Sequence, residues 1–135
     1  MKTAYKIVGG LLISFFILYV ILPFFIVGTP TPFYQIKNTD TVGHKVTVEI
    51  FNPQNQLVHK NEYYIGPEET FNKPKPLILV AKTYFFDEES GCHVKSTLDH
   101  NSSVSLTIDY NPWNQPFISI SENGFAMKEL SVCSE

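Results

Sequence analysis

The segment His44–Phe51, HKVTVEIF, decides the fold class of this chain. Its apolar residues Val46, Val48 and Ile50 alternate with polar ones. Because successive side chains of a strand point to opposite faces, this period of two predicts a strand with one buried and one exposed face. Leu57–Ile65 follows after a loop of turn-forming residues, so the two segments predict a β-hairpin.

The same period continues along the chain from Phe33 and predicts an all-β domain. The strand candidates are Phe33–Asn38, His44–Phe51, Leu57–Ile65, Leu77–Phe86, Cys92–Leu98, Val104–Tyr110, Phe117–Ser121 and Ala126–Cys133. The longest of them is Leu77–Phe86, LILVAKTYFF. Short strands separated by regular turn signals are typical of a sandwich, so we expect an antiparallel β-sandwich of about seven or eight strands.

The stretch from Val46 to Glu69 resembles a known class of module. It reads V-x-V-x-I, then a turn, a second strand and the sequence G-P-E-E, which is similar to the early strands of immunoglobulin-like modules of extracytoplasmic proteins. The resemblance implies an immunoglobulin-like fold and a module that binds, spaces or braces. The antibody order of Cys, Trp and Cys is present as Cys92, Trp113 and Cys133, although both Cys lie in the second half of the domain.

An uncharged apolar run, residues 7–27, precedes the domain. At 1.5 Å per residue it is about 31 Å long as a helix, which matches the hydrocarbon core of a bilayer. The run is longer than the apolar region of a cleaved signal peptide, so an uncleaved signal-anchor is favoured, with cleavage as the alternative. Gly10 and Ser14 form a small-xxx-small pair, a candidate for helix packing that is also common without that role.

Charges around the apolar run predict its orientation. Lys2 and Lys6 lie before it, and the next charge after it is Lys37. The positive-inside rule therefore predicts a single-pass cell-membrane protein with residues 1–6 in the cytoplasm and the rest extracytoplasmic. Residues 28–32 form a short linker, so the domain of residues 33–135 begins close to the bilayer. This closeness favours partners in the same membrane.

The predicted domain is acidic. From residue 28 onward the chain carries eight Lys, thirteen acidic residues and no Arg, a net charge of −5. Such a domain lacks the basic face that phosphates bind, which argues against a nucleic-acid partner. A length of 135 residues allows one modest domain and excludes a multidomain enzyme.

The chain has two cysteines, Cys92 and Cys133, and both lie in the predicted extracytoplasmic part. An even number of cysteines outside a membrane predicts one disulfide, with two unpaired thiols as the alternative. The sequence Asn101-Ser102-Ser103 is a candidate N-glycosylation site in a predicted loop, which agrees with that location.

The segment of residues 111–116 contains the only Trp of the chain. Pro112 and Pro116 flank Trp113 and stiffen the predicted loop, which lowers the ordering cost of binding. Because Trp is enriched at protein interfaces and at membrane surfaces, we consider this loop a candidate interaction site. The alternative is that Trp113 folds back and covers one end of the sandwich.

Sequence motifs give little support to catalysis. The acidic residues 87–89 lie at a predicted turn, and Asp99, His100 and two serines share one loop without rigid support. We therefore predict a protein that is not an enzyme and that needs no cofactor or metal. A metal site remains an alternative, with His44 and His59 across the first hairpin and His93 and His100 further on as the candidate ligands.

These observations predict a non-catalytic, membrane-anchored β-sandwich that serves as an accessory or interaction subunit of a membrane complex. Two alternatives come from other classes. One is an extracytoplasmic module that binds a metal or a small ligand. The other is a cell-surface or filament component, which would assemble as a homo-oligomer.

Overall fold

The computed structural model describes residues 2–26, 30–85 and 91–131. The chain forms two units, residues 1–30 and residues 31–135. The first contains helix α1, Lys2–Ile26. Within it, Tyr5–Leu22 has a mean hydropathy of 2.2, so α1 is long and apolar enough to cross a membrane. A signal sequence has the same length and composition. Helix α1 agrees with the apolar run of residues 7–27.

The second unit is built mostly of β-strands. Between residues 30 and 131, outside the undescribed segment 86–90, the strands are β1 (Tyr34–Asn38), β2 (His44–Phe51), β3 (Leu57–Ile65), β4 (Thr70–Lys73), β5 (Gly91–Leu98), β6 (Ser102–Asp109), β7 (Asn114–Ser121) and β8 (Gly124–Ser131). Helix α2, Leu77–Phe85, lies between β4 and β5. Sheet A has the order β4-β1-β7-β8, and sheet B has the order β3-β2-β5-β6. The pair β1 and β7 is parallel, and the other pairs are antiparallel.

The two sheets share one hydrophobic core. Sheet A contributes Tyr34, Ile36, Ile118 and Ile120, and sheet B contributes Val46, Val48, Ile50, Ile65, Val94 and Ile108. The alternation of apolar and polar residues in β2 matches the burial of its side chains: Val46, Val48 and Ile50 are almost fully buried, and the residues between them are more exposed. The predicted β-sandwich is therefore confirmed at the level of two packed, mostly antiparallel sheets.

The prediction of a strand at Leu77–Phe86 is wrong. Residues 77–85 form helix α2. The carbonyl of Pro76, the residue before the helix, accepts hydrogen bonds from the backbone N–H groups of Leu79 and Val80 and so caps the first turn. The edge strand beside β1 is instead β4, a four-residue segment that the sequence pattern did not identify.

Strand directions define two ends of the sandwich. Strand β1 starts near Thr31 and pairs antiparallel with β4, so Tyr34 lies opposite Lys73. The start of β7 lies at this end too, because β7 runs parallel to β1. We call this the linker-proximal end. The turns of residues 39–43, 66–69, 99–101 and 122–123 lie at the opposite end, the distal end.

Candidate functional site

Hydrogen bonds fix the start of the domain at the linker-proximal end. The backbone N–H of Thr31 donates to the carbonyl of Pro112 at 2.9 Å. The hydroxyl of Thr31 donates to the carbonyl of Asn114 at 3.0 Å. Thr31, which the sequence places in the linker, is thus held against the connection between β6 and β7.

Lys75 lies beside Thr31 and is only 9% exposed. Its ammonium donates to the Thr31 hydroxyl at 3.2 Å and to the carbonyls of Asn111 and Asn114 at 2.6 and 2.9 Å. The Tyr110 ring centroid is 5.8 Å away. Burial lowers the pKa of Lys75 to about 8, whereas the three oxygens bind the charged form and favour it. One ammonium group therefore joins the linker, the β4–α2 connection and the β6–β7 connection.

The β6–β7 connection is a compact, hydrogen-bonded turn. Asn114 is buried, and its amide donates to the carbonyl of Asp109 and, at 2.9 Å, to Glu129 Oε1. The N–H of Asn111 donates to Asn114 Oδ1 at 2.8 Å, and the N–H of Trp113 donates to Asn111 Oδ1 at 2.8 Å. The turn therefore has little freedom to rearrange.

The structure changes the predicted interaction loop. Trp113 is half-buried, and Pro112 is fully buried. Pro116 is buried inside β7, which already begins at Asn114. Residues 111–116 are therefore not one exposed loop: the second half of the segment continues the sheet, because it pairs with β8 from Asn114 onward.

Exposed apolar side chains lie at the same end of the sandwich as this turn. In α2, Leu77 is 86% and Ile78 is 71% exposed, whereas Leu79 packs against the core and Val80 is 7% exposed. Leu57 and Val58, at the start of β3, are exposed too. We name the set of Leu57, Val58, Leu77, Ile78 and Trp113 the apolar end.

A polar network braces the two sheets next to the apolar end. The Tyr34 hydroxyl of β1 lies 2.7 Å from the Tyr63 hydroxyl and 3.1 Å from His59 Nε2, both on β3. The Asn61 amide donates to the Tyr63 hydroxyl at 3.0 Å. Burial, and then the charge of Lys73, lower the pKa of His59, which favours the neutral imidazole. These groups satisfy one another inside the fold.

A second histidine lies at the distal end. His44 Nδ1 is 2.7 Å from Asp99 Oδ2, and His44 Nε2 is 3.0 Å from Asp40 Oδ2. The hydrogen bond to Asp99 raises the pKa of His44 most, and burial opposes it. The hydrogen bond to His44 lowers the pKa of both carboxyl groups. This arrangement joins the start of β2 to the β5–β6 turn.

The structure separates the predicted metal ligands. His44 lies opposite Ile65 and His59 lies opposite Ile50, so the two histidines occupy opposite ends of the hairpin and do not pair across it. His93 Nδ1 lies 3.4 Å from Thr107 Oγ1, and His100 lies in the β5–β6 turn. Among the described residues, no group of three or more His, Cys, Asp or Glu side chains could hold a metal ion.

The outer face of sheet B has a concavity of about 380 Å³. It is lined by Thr47, Glu49, Lys60, Asn61, Glu62, Thr97 and His100. Lys60 lies 2.7 Å from Glu49, and Lys45 lies 2.9 Å from Glu62. Its charges are thus largely neutralised by ion pairs within the sheet.

The remaining candidate residues are not part of the apolar end. Asn101 is exposed in the distal β5–β6 turn. Gly10 and Ser14 are exposed on α1.

The predicted disulfide is not supported. Cys92 is a half-buried free thiol, and the described residues contain no second cysteine, because Cys133 lies outside them. Burial, and then the charge of Asp109, raise the pKa of the Cys92 thiol. The acidic residues 87–89 also lie outside the described part.

Comparison with known proteins gives no further identification. The chain matches no family model, no curated protein and no solved structure. The linker-proximal end is the candidate site that the geometry itself supports, because an ordered buried lysine and an exposed apolar surface lie together there.

Proposed function

We propose that this chain is a non-catalytic, membrane-anchored β-sandwich protein that acts as an accessory subunit of a membrane complex. The observation that carries this proposal is the short tether. Helix α1 ends at Ile26, and Thr31 is already hydrogen-bonded into the domain. The five peptide steps between them span at most about 18 Å when fully extended. With α1 in a membrane, the domain stays next to the bilayer, where another membrane protein is within reach.

The proposal includes the orientation and the fold subclass. Lys2 and Lys6 before the apolar run support a cytoplasmic N-terminus. Asn101 is exposed at the distal end, so the candidate glycosylation site would be accessible in an extracytoplasmic domain. Two four-stranded sheets around one core support the immunoglobulin-like assignment.

The use of the reactive side chains supports a binding role over catalysis. Among the described residues, Lys75, His59 and His44 could carry proton transfer, and each of these three has hydrogen-bond partners inside the fold. A catalytic acid or base needs to face a substrate within hydrogen-bond reach. These three groups instead tie segments of the chain together.

Native extraction tests the accessory role. We expect the full-length protein, extracted from its membrane in mild detergent, to migrate in a complex with another integral membrane protein that mass spectrometry identifies. The matched control inserts about 20 Gly/Ser residues after Gly28, which lets the domain move roughly 25 Å from its anchor. We expect this insertion to weaken the complex without unfolding the domain. A monomer both in detergent and after cross-linking in intact membranes would contradict the proposal.

A second candidate function is the binding of a small polar ligand on the outer face of sheet B. The concavity there, with His100 at its edge, favours this alternative. The ion pairs within it already neutralise its charges, so a ligand would have to displace them. A ligand screen by thermal shift on the full-length protein tests this alternative directly.

A further inference from the structure

We infer that the linker-proximal end of the sandwich is seated in the headgroup region of the lipid bilayer, with Leu77 and Ile78 as anchors and Trp113 beside them. This inference rests on the proposed membrane anchoring by α1 and adds a second, peripheral contact with the lipid. It assigns a ligand surface, a phospholipid bilayer, to the apolar end.

Helix α2 has apolar side chains on two sides. Leu79 and Val80 face the core of the domain, and Leu77 and Ile78 are exposed to 86% and 71%. A surface helix of a soluble domain normally carries polar residues on its outer face. A helix with an exposed apolar surface instead suits a position in the plane of a membrane interface.

The position of α2 along the chain decides what covers these side chains. Lys75 is hydrogen-bonded to Thr31, and Leu77 follows two residues later. The exposed side chains are therefore close to the point where the chain leaves the domain towards α1. Since at most about 18 Å of chain separates Thr31 from Ile26, the lipid surface lies within reach of this end. A soluble partner would have to enter that narrow space.

The other apolar residues at the same end strengthen this choice of occupant. Leu57 and Val58 start β3 there, and His59 of the same strand packs against Phe33, with 5.6 Å between the ring centroids. Trp113 lies between Asn111 and Asn114, whose carbonyls bind the Lys75 ammonium. Trp113 is half-buried and its indole Nε1 is enclosed in the domain, so it contributes only the exposed part of its apolar ring to this surface.

Acidic side chains are concentrated at the distal end, opposite the apolar end. The described turns of the distal end carry the carboxyl groups of Asp40, Glu68, Glu69, Asp99 and Glu122. At the linker-proximal end, Glu129 accepts a hydrogen bond from the buried Asn114 and is thereby part of the fold. Asp109, at the end of β6, is also exposed at the linker-proximal end. Among the described residues the carboxyl groups are therefore more numerous at the distal end, and the exposed apolar residues lie at the end that carries the tether.

Trp113 is the only Trp of the chain, so its fluorescence reports on this surface alone. The full-length protein is reconstituted into vesicles of zwitterionic phosphatidylcholine, with or without bromine atoms near the top of the acyl chains. We expect the brominated lipid to quench Trp113 strongly. In the double variant Leu77→Ser/Ile78→Ser, we expect the lipid-seated population to fall by about tenfold or more, because two apolar side chains no longer leave water.

The control variant is Val42→Ser, which removes a 53% exposed apolar side chain from the distal end. We expect its quenching to equal that of the wild type. Thermal melts in detergent show that both variants fold, and flotation of the vesicles shows that α1 is inserted.

The outcomes separate the two proposals. If the protein does not float with the vesicles, the membrane anchoring itself fails. If it floats but Trp113 is not quenched, or is quenched equally in wild type and double variant, the seating of the apolar end is overturned while the accessory role stands. Quenching that depends on Leu77 and Ile78 supports the inference.

Discussion

Lys75 is the residue on which the linker-proximal end depends. Its ammonium binds two backbone carbonyls and the Thr31 hydroxyl in a nearly closed environment. The sequence around it, Lys73-Pro74-Lys75-Pro76, reads as an exposed turn, and an exposed lysine is the ordinary expectation there. Its burial follows from three neutral oxygens that two separate segments, the linker and the β6–β7 connection, supply.

We expect Lys75→Met to destabilise the domain by about 1 to 3 kcal/mol, because the buried oxygens lose their shared donor while the aliphatic stem is kept. The measurement is chemical unfolding of the full-length protein in detergent, together with hydrogen exchange at the Thr31 amide, which we expect to become faster. Lys37→Met, at an exposed position of β1, is the control. Unchanged exchange at Thr31 in Lys75→Met would show that the ammonium does not hold the linker.

His44 makes the distal end sensitive to pH. A neutral imidazole has a single N–H, whereas the charged form donates to Asp40 and Asp99 together. The raised pKa of His44 stabilises the fold below about pH 6.5, and this contribution is lost as the pH rises through the folded value. The lowered pKa of each carboxyl group stabilises it above about pH 3.9 and is lost as the pH falls through the folded value.

We therefore expect the contribution of the His44 arrangement to be largest between about pH 4 and 6.5. The free energy of unfolding of the wild type minus that of His44→Gln, measured from pH 4 to 8.5, should decrease by about 1 kcal/mol at most towards the alkaline side. Half-buried His59, whose pKa is lowered, has the opposite pH dependence, and its contribution cancels in this difference. A difference that does not change with pH would refute the role of His44.

At the scale of elements, helix α2 is the largest departure from the sequence pattern. A run of apolar residues does not distinguish a buried strand from a helix by periodicity. Both sheets already have four strands, and the edge beside β1 is occupied by β4. Prolines at 74 and 76 interrupt the chain directly before the run, and Pro76 supplies the first helical acceptor. The helix therefore docks through Leu79 and Val80 instead of joining a sheet.

Because α2 docks through one side, substitutions on its two sides should change the stability of the domain by different amounts. We expect Val80→Ala to destabilise the domain by about 2 kcal/mol, since two buried methyl groups are lost and a small cavity is left. Ile78→Ala on the exposed side should change stability in detergent by less than about 0.5 kcal/mol. Urea unfolding of both variants compares them under the same conditions, and equal destabilisation would mean that the helix docks with another face.

At the scale of the whole molecule, the chain is asymmetric from one end of the sandwich to the other. The tether, the buried lysine and the exposed apolar side chains lie at one end, and the His44 arrangement and Asn101 lie at the other. If one end contacts lipid, the distal end and the outer face of sheet B remain for a protein partner. The proposed accessory role and the proposed lipid contact would therefore use different surfaces of the same small domain.

Local sequence was sufficient for the features that depend on neighbours along the chain. The alternation in His44–Phe51 determined β2 and its buried face, because side-chain direction in a strand has a fixed period. The length and composition of residues 7–27 determined an apolar helix, since both properties are local. The turn signals between strands placed the exposed Asn101 correctly in a turn.

Tertiary structure decided the features that depend on distant parts of the chain. Residues 77–85 are helical and join neither sheet, which the apolar run alone does not predict, and the burial of Lys75 depends on carbonyls more than 30 residues away. The gathering of Leu57, Val58, Leu77, Ile78 and Trp113 at the tethered end depends on strand order and direction. No local pattern encodes these arrangements, because each one depends on contacts between residues that are far apart along the chain.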